Sequence, residues 1–375
     1  MGGLLLGMKK SFWIAFGIIF FCCASVGVGV FLAEKSLKNP DKNLVGTSSE
    51  DDLSIIKNNI KDGGITLPVR EPSPAPAAVN PETSEAETPV KNETVEEAVP
   101  EPASKTADDK LSFGILGDTQ STSFASDSGF YKAVKILKEK NPDFLAAVGD
   151  LVSDCNGKSQ CQSKMDKWKN VLDALFSKTY AVMGNHDREG GEKSDKLWQN
   201  FFSFPTNGPP DFSELTYSLD MKNAHLIFLN SDKPEDHKIN LQQRDWLKKD
   251  LQESSKELTF VFFHEPAYPV SSKINESLDA HKKDRDALWD ILSEEKVTAV
   301  FSGHEHIASR KKIDGVYQFI FGNTDSFNHE LPVSGVAEYS HKGQAFGWVE
   351  AIDKKITVKT FSVDGKELNS FDLPL

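Results

Sequence analysis

The chain has 375 residues, of which 38% are hydrophobic, 26% charged and 10% aromatic, and its formal net charge is −13 at pH 7. This composition supports a buried core and excludes a collagen-like, coiled-coil or wholly disordered chain. The acidic balance argues against a nucleic-acid-binding surface, and four cysteines are too few for a scaffold built on disulfides. Nothing in the composition indicates an oligomeric state.

The first distinct segment lies near the N-terminus. Residues 12–33 carry no charged side chain, and a helix of this length reaches about 30 Å, the hydrocarbon thickness of a bilayer. Lys9 and Lys10 precede it, so the positive-inside rule predicts a short cytoplasmic N-terminus, residues 1–11, and a domain outside the cell membrane. Ser25-Val26-Gly27 fits a cleavage site that would give a secreted protein. The length of the apolar run favours an uncleaved, single-pass signal anchor.

The next segment, residues 34–109, is poor in groups that could form a core. No aromatic residue occurs between Leu32 and Ser112, and 8 of the 18 prolines lie between Leu67 and Asp109, together with 10 acidic and 3 basic residues. Such a stretch cannot bury enough apolar surface to offset the entropy of ordering it. We therefore predict a disordered, Pro/Glu-rich linker.

Residues 110–375 show the alternation of strands and helices that is typical of an α/β domain. Five short runs rich in Val, Ile, Leu, Phe and Ala have the composition of buried strands, and they cover residues 113–116, 144–148, 180–183, 260–263 and 299–301. Segments of helical period lie between several of them, at residues 129–140, 165–176, 241–252 and 285–294. This order predicts an α/β sheet.

Each of the five runs ends in polar residues of the kind that bind metals. Because ligands of α/β sheets gather at the carboxyl ends of the strands, these side chains should converge in one site. The predicted set is Asp118, Gln120, Asp150, Asn185, His186, His264, His304 and His306. Carboxylates, amides and several imidazoles suit Mn, Fe or Zn better than Ca or Mg. The set is too large for one ion and suits two divalent ions that share a bridging carboxylate.

The order of the motifs resembles a known family. Asp-x-Gln, Gly-Asp-x-x-x-Asp, Gly-Asn-His-Asp, a single His and Gly-His-x-His follow one another within residues 112–306, as in the calcineurin-like metallophosphoesterase superfamily. The resemblance implies a four-layer α/β/β/α sandwich of two mixed sheets with a dinuclear metal centre. By matching position, one metal would be held by Asp118, Gln120, Asp150 and His306. The other would be held by Asp150, Asn185, His264 and His304. His186 would be the catalytic imidazole.

Two departures from the family pattern concern the same site. Gln120 stands where the first motif usually has His, and an amide is a weaker donor than an imidazole. Ser153 stands where the phosphoprotein phosphatases of the superfamily have the Asp that orients the catalytic His, and Asp154 follows one residue later. The chain therefore does not resemble a protein Ser/Thr phosphatase. Asp154 as an orienting group and Arg188 as a phosphate contact are the remaining candidates, and Arg188 equally suits an ordinary surface loop.

These observations predict a membrane-tethered, metal-dependent hydrolase of phosphate mono- or diesters. A hydroxide that bridges the two metal ions would attack phosphorus, and His186 would protonate the leaving oxygen or contact the phosphoryl group. The partners would be the phosphate ester and, through the N-terminal helix, the membrane. The alternative is a metal-bound but catalytically silent binding domain at the cell surface.

Two cysteines follow the Gly-Asp-x-x-x-Asp motif directly. Cys155 and Cys161 flank the turn signal Asn156-Gly157, and an extracytoplasmic compartment lets a disulfide persist. We expect a disulfide between them. Two free thiols or an additional metal site are the competing interpretations.

Overall fold

A computed structural model of the chain describes residues 110–120, 124–156, 159–352 and 355–374. These residues belong to the second of two compact units, Glu96–Leu375. The predicted cytoplasmic N-terminus at 1–11, transmembrane segment at 12–33 and linker at 34–109 lie outside the described residues. Within the described ranges, no helix combines the length and apolar character that crossing a membrane requires.

The first sheet has six strands. They are β1 (Lys110–Leu116), β2 (Phe144–Ala147), β3 (Thr179–Ala181), β11 (Ala345–Ile352), β12 (Lys355–Ser362) and β13 (Glu367–Leu373). Their order is β13-β12-β11-β1-β2-β3. β1, β2 and β3 are parallel, and β11 to β13 add an antiparallel half that starts where β11 pairs with β1. The motif-bearing strands thus lie together on one side of this sheet.

The second sheet has seven strands. They are β4 (Tyr217–Met221), β5 (Ala224–Phe228), β6 (Leu258–Phe262), β7 (Ala299–Ser302), β8 (Ala308–Ile313), β9 (Val316–Phe321) and β10 (Tyr339–His341). Their order is β10-β8-β9-β7-β6-β5-β4. β5, β6, β7 and β9 are parallel, whereas β4, β8 and β10 run antiparallel to their neighbours. Both sheets are therefore mixed.

An aromatic core joins the two sheets. Phe113 of the first sheet meets Phe260 and Phe301 of the second edge-on, with ring centroids 5.3 and 5.8 Å apart. Phe144 meets Phe262 in the same way at 6.4 Å. Each edge-to-face pair at such a separation contributes about 0.5–1.5 kcal/mol of stabilising free energy in addition to that from burying apolar surface. Face-to-face packing of the sheets follows from these contacts.

Helices cover the outer faces. They are α1 (Gly129–Lys140), α2 (Ser159–Leu172), α3 (Glu192–Phe201), α4 (Leu241–Glu253) and α5 (Lys282–Glu294). Leu247 of α4 and Leu288 of α5 cluster with Val261 and Val300, which belong to strands of the second sheet. Leu137 of α1 packs where Gly114 of the first sheet leaves room for it. The prediction of two mixed sheets with helices is confirmed.

All five predicted strands are present, but the helix prediction was wrong in one place. The sequence predicts a helix over 165–176, whereas α2 begins at Ser159 and ends at Leu172, and a 3₁₀ helix follows at Asp173–Lys178. Asp173 has a left-handed backbone, with φ 52°, and one such residue interrupts the α-helical hydrogen bonds. The apolar residues beyond this point belong to the tighter 3₁₀ turn.

Candidate metal centre

Several predicted ligands have a left-handed backbone conformation at the point where the loop leaves its strand. Asp118, Asp150 and His304 have φ of 51°, 53° and 65°. Such a conformation costs a non-glycine residue about 1–3 kcal/mol and is concentrated at functional sites. Gly184 has a different reason for being glycine, since a Cβ there would collide with the Asp150 carboxylate. The backbone is thus bent to bring the ligand side chains close together.

Asp150 lies at the centre of the converged side chains and is 1% exposed. Its Oδ1 accepts a hydrogen bond from the His186 backbone N–H at 3.0 Å, and its Oδ2 accepts from Gln120 Nε2 at 3.2 Å. His264 Nε2 lies 3.4 Å from Oδ1. Ligand atoms of Asp118, Asp150 and His264 all lie within 4.8 Å of one another. The structure therefore brings the predicted carboxylates and this imidazole into one cluster.

Asp118 is fully buried beside this cluster. Burial raises the pKa of its carboxyl well above the usual range; His264 opposes this shift, and the nearby Asp150 carboxylate adds to it. Two buried carboxylates at such close range repel each other unless positive charge lies nearby. The pair thus has the character of a cation site.

Backbone carbonyls fix the protonation of the three predicted histidine ligands. A carbonyl oxygen only accepts, so the ring nitrogen that faces it carries the proton and the opposite nitrogen of a neutral ring presents a lone pair. The pairs are His264 Nδ1 with Val148 O at 2.8 Å, His304 Nε2 with Glu276 O at 2.8 Å, and His306 Nδ1 with Phe327 O at 3.0 Å.

The opposite nitrogens face oxygen acceptors. His306 Nε2 lies 3.1 Å from Asp118 Oδ1, and His304 Nδ1 lies 3.1 Å from Asn185 Oδ1. Burial lowers the pKa of His304 well below its usual value and that of His306 to about 4. Both rings are then neutral at pH 7, and each directs a lone pair towards an oxygen, so that a proton or a metal cation fits between the two atoms. The donor set therefore fits metal ions.

The contacts of Gln120 independently support a metal site. Its Nε2 donates to Asp150, whereas its Oε1 is buried and has no hydrogen-bond partner among the described residues. A buried oxygen without a partner costs about 1–3 kcal/mol. An amide oxygen is a metal ligand, so this unpaired atom fits the predicted first metal site.

His186 lies at the mouth of the cluster, and its side chain is 41% exposed. Its Nδ1 lies 2.8 Å from Glu189 Oε1. Burial lowers the pKa of His186, but the carboxylates of Asp150 and Glu189 outweigh this effect, and the net pKa is raised. Sequence reasoning missed Glu189. Its position three residues after His186 was the available signal.

The two further candidates for contact with His186 or the substrate are engaged elsewhere. Asp154 is exposed and pairs with Lys164 at 3.0 Å, and the carboxylate bonded to the His186 ring is that of Glu189. Arg188 is largely buried, and it donates to Asp195 Oδ1 at 2.9 Å and to the Asp232 carbonyl at 2.5 Å. These contacts make Arg188 a brace between two loops.

Two buried acids brace the ligand loops. Asp187, the last residue of Gly-Asn-His-Asp, accepts hydrogen bonds from the backbone N–H groups of Leu151, Val152 and Gly184. Burial raises its pKa to about 7. Glu305 points away from the cluster and accepts from the N–H groups of Val270 and Ser271. Sequence reasoning assigned no role to Asp187.

The predicted disulfide is present. Cys155 and Cys161 are bonded, with Cα atoms 4.7 Å apart. The Cys155 backbone N–H donates to the His186 carbonyl at 3.1 Å. Residues 157–158 of the loop lie outside the described ranges. The bond thus joins the start of α2 to a loop that is hydrogen-bonded to the segment that carries His186.

Comparison with known proteins agrees with this geometry. A family model for the calcineurin-like phosphoesterases matches residues 111–308. Fold and site define a domain of the metallophosphoesterase class. The match covers more than half of the chain, and the chain belongs to the calcineurin-like phosphoesterase family. The predicted superfamily is confirmed, the relatives support the predicted enzyme class, and the family implies a dinuclear centre of divalent metals.

Several relatives are acid phosphatases. Purple acid phosphatase 23 of Arabidopsis thaliana is 24% identical over 242 residues, which are 57% of this chain and 50% of that protein. Tartrate-resistant acid phosphatase type 5 of Homo sapiens is 26% identical over 282 residues, 65% of this chain and 82% of that protein. The chain thus spans half the length of the plant relative and most of the human one.

A solved structure shows the same fold. The purple acid phosphatase from yellow lupin (Lupinus luteus) seeds superposes with a TM-score of 0.61 at 17% identity, over 73% of this chain and 55% of that one. At this identity the likeness concerns the fold alone.

Proposed function

We propose that the chain is a membrane-tethered hydrolase of phosphate esters that uses two divalent metal ions and prefers monoesters. The observation that carries the metal requirement is the buried cluster of Asp118, Asp150 and His264, whose ligand atoms all lie within 4.8 Å of one another. The preference for monoesters draws on two of the relatives, which are named acid phosphatases.

The two metal sets share Asp150. The first comprises Asp118, Gln120, Asp150 and His306, and the second comprises Asp150, Asn185, His264 and His304. Asp150 suits the shared position, because its two oxygens face different members of the cluster, Gln120 on one side and His264 on the other. Imidazole-rich sets of this kind favour Mn, Fe or Zn. When bound, such ions lower the pKa of water and neutralise charge on phosphate oxygens.

The chain's own residues supply the proton. The backbone of His186 is tied to Asp150 and its ring to Glu189, so the imidazole is held at the mouth of the cluster. Its raised pKa keeps a larger fraction of the ring protonated at neutral pH, which suits a general acid for the leaving oxygen. Glu189 fixes the orientation of the ring.

A panel of esters tests this function on the full-length chain. The chain should hydrolyse p-nitrophenyl phosphate faster than bis-p-nitrophenyl phosphate, lose both activities with a chelator, and recover them when Mn, Fe or Zn is added back. Elemental analysis should find about two metal ions per chain. Two bound ions with no turnover of either ester would overturn the enzyme proposal and support the silent binding domain.

The tether is a separate part of the proposal. It draws on the 22 uncharged residues at 12–33 and the lysines before them, which favour an N-terminus in the cytoplasm. Protease added to intact cells, or to spheroplasts where there is an outer membrane, should release a soluble, active fragment. Full protection of the domain in intact membranes, with digestion after lysis, would refute the orientation.

A further inference from the structure

Two loops beside the metal centre, residues 263–277 after β6 and residues 322–338 after β9, expose apolar side chains. Of the seven large apolar side chains exposed in the described residues, four lie in these loops, namely Ile274, Phe327, Leu331 and Val333. The same loops provide the carbonyls of Glu276 and Phe327, which accept from His304 and His306. The hydroxyl of Ser271 donates to the carbonyl of Glu330 and so joins the two loops. The apolar side chains thus lie on segments bonded directly to the ligand histidines.

Phe327 is the most informative of the four. Its ring meets the His306 ring edge-on, with centroids 4.6 Å apart and planes at 78°, and it lies 5.3 Å from the His329 ring. Despite these contacts, Phe327 is 70% exposed, and it is the only phenylalanine among the exposed large apolar residues of the described part. A ring placed only to support His306 would gain by burial. Most of this ring instead faces the solvent at the edge of the site.

We propose that Phe327 determines substrate specificity by packing against an aromatic group on the ester, as in an aryl phosphate. This inference rests on the proposed function for the position of the phosphate. A phosphate held at the cluster that includes His306 brings the group bonded to its oxygen beside the Phe327 ring. Aromatic pairs prefer offset or edge-to-face contacts with centroids 4.5–7 Å apart, and an exposed ring at the rim can accept either.

The charged side chains at the edge of the site are consistent with an uncharged aromatic group on the substrate. Lys273, the basic residue of the first loop, pairs with Glu276 at 3.2 Å, and Lys342 pairs with Glu330 at 2.7 Å. These cations are already neutralised by partners on the protein. What these two loops leave exposed beside the cluster is therefore apolar surface, and an aromatic ring covers such a surface better than a sugar or a charged peptide does.

Phosphonates test the inference without turnover. In benzylphosphonate a CH₂ group replaces the ester oxygen of phenyl phosphate, and butylphosphonate is its aliphatic counterpart. Calorimetry on the metal-loaded, full-length chain should find benzylphosphonate bound roughly tenfold more tightly than butylphosphonate, as expected for one aromatic contact. Phe327→Ala should reduce this ratio to about twofold and leave the affinity for butylphosphonate unchanged. Phe327→Trp should keep or increase the ratio.

The controls separate a specificity role from a structural one. Leu241→Ala removes an apolar side chain at the start of α4 that is about as exposed as Phe327. It should leave the ratio of the two phosphonate affinities unchanged. Metal content and thermal unfolding of Phe327→Ala should match the wild type, because truncating an exposed ring leaves no cavity. Equal affinities for the two phosphonates in the wild type, equal losses of both in Phe327→Ala, or no binding of either would overturn the inference.

The outcome also distinguishes this inference from the proposed function. Aromatic preference in binding together with no hydrolysis of any ester would refute the enzyme proposal and keep the role of Phe327. Hydrolysis of aryl and alkyl esters without aromatic preference would keep the enzyme proposal and refute the role of Phe327.

Discussion

The ligand cluster and the rim of the same site are held in different ways. Asp118, Asp150 and His264 are at most 1% exposed and lie at the ends of strands, where backbone groups hold them. His186 is partly exposed, Phe327 is largely exposed, and both lie on loops. The strands of the sheets thus position the predicted metal ligands, whereas loops position the proposed proton donor and the proposed specificity residue. Substitutions in the cluster should cost metal content, and substitutions in the rim should cost turnover or selectivity alone.

Asp150→Asn should have the largest effect, with no measurable turnover and less of both metals, because the carboxylate belongs to both proposed sets and its charge is lost. Elemental analysis measures this together with hydrolysis of p-nitrophenyl phosphate. Asp143→Asn is a matched control just before β2, where Asp143 pairs with Lys222 at 2.6 Å, and it should keep its metals. Full metal content in Asp150→Asn would contradict the shared position.

His186→Ala should keep both metals and lose turnover by roughly 10²–10⁴-fold, because a general acid is removed and no ligand is. The loss should shrink for esters with acidic leaving groups, which need little protonation. A loss of the same size for good and poor leaving groups would instead indicate that His186 positions the phosphoryl group.

Glu189→Gln should have a smaller effect, roughly a tenfold lower kcat with KM unchanged, since the ring of His186 loses its partner but stays in place. Residues that act as one unit are not additive, so Glu189→Gln should change nothing further in a His186→Ala background. Asp154→Asn, which removes an exposed carboxylate paired with Lys164, should leave kcat near the wild-type value. Additive losses in the double variant would show that Glu189 acts independently of His186.

Replacing both Cys155 and Cys161 by Ser should lower the free energy of unfolding by no more than about 2–3 kcal/mol, because the loop that the bond closes is short. Urea unfolding measures the loss, and mass spectrometry of a non-reduced digest should show the linked peptides in the wild type. A Cys22→Ser/Cys23→Ser variant controls for cysteine removal as such. Two freely alkylatable thiols in protein from the oxidising compartment would contradict the bond.

The smallest expected effect is a loss of stability on replacing His225 of β5. Its ring lies between two carboxylates, those of Asp220 at 2.7 Å and Asp250 at 2.8 Å. Burial lowers its pKa, but the two carboxylates outweigh burial and the net pKa is raised. A raised folded-state pKa stabilises the fold below the unfolded value, about 6.5, and this contribution disappears as pH rises through the folded value.

His225→Gln should therefore lose stability mainly at acidic pH. The deficit in unfolding free energy relative to the wild type should be about 1 kcal/mol at most, because Asp220 is half exposed. It should shrink as the pH rises above neutral. Urea unfolding between pH 5.5 and 9 measures this difference, and a deficit that stays constant across the range would show that His225 is not the titrating group.

The sequence predicted the cluster well because strand and ligand are neighbours in the chain. A buried run such as residues 144–148 ends at Gly149 and Asp150, so the end of a parallel strand positions the carboxylate directly. The five strands and the convergence of their polar ends followed from this rule.

The rim was not predictable in the same way. Glu189 contacts His186 because of a turn after Gly-Asn-His-Asp, and Phe327 reaches His306 from a loop 21 residues further along the chain. No periodicity marks either residue. The extent of α2 was missed for a similar local reason, since nothing in its apolar pattern signals the left-handed Asp173.

The pairing of β1 with β11 has a consequence for how the protein is made. Every proposed ligand has been synthesised by residue 306, yet β1, which leads into Asp118, obtains its neighbour on one side only from Ala345–Ile352, with Lys110 opposite Ile352. Contacts so distant in sequence form slowly, because closing the intervening chain costs entropy before the pairing repays it. The first sheet therefore closes only once β11 has emerged, and we expect metal loading to follow the synthesis of that strand.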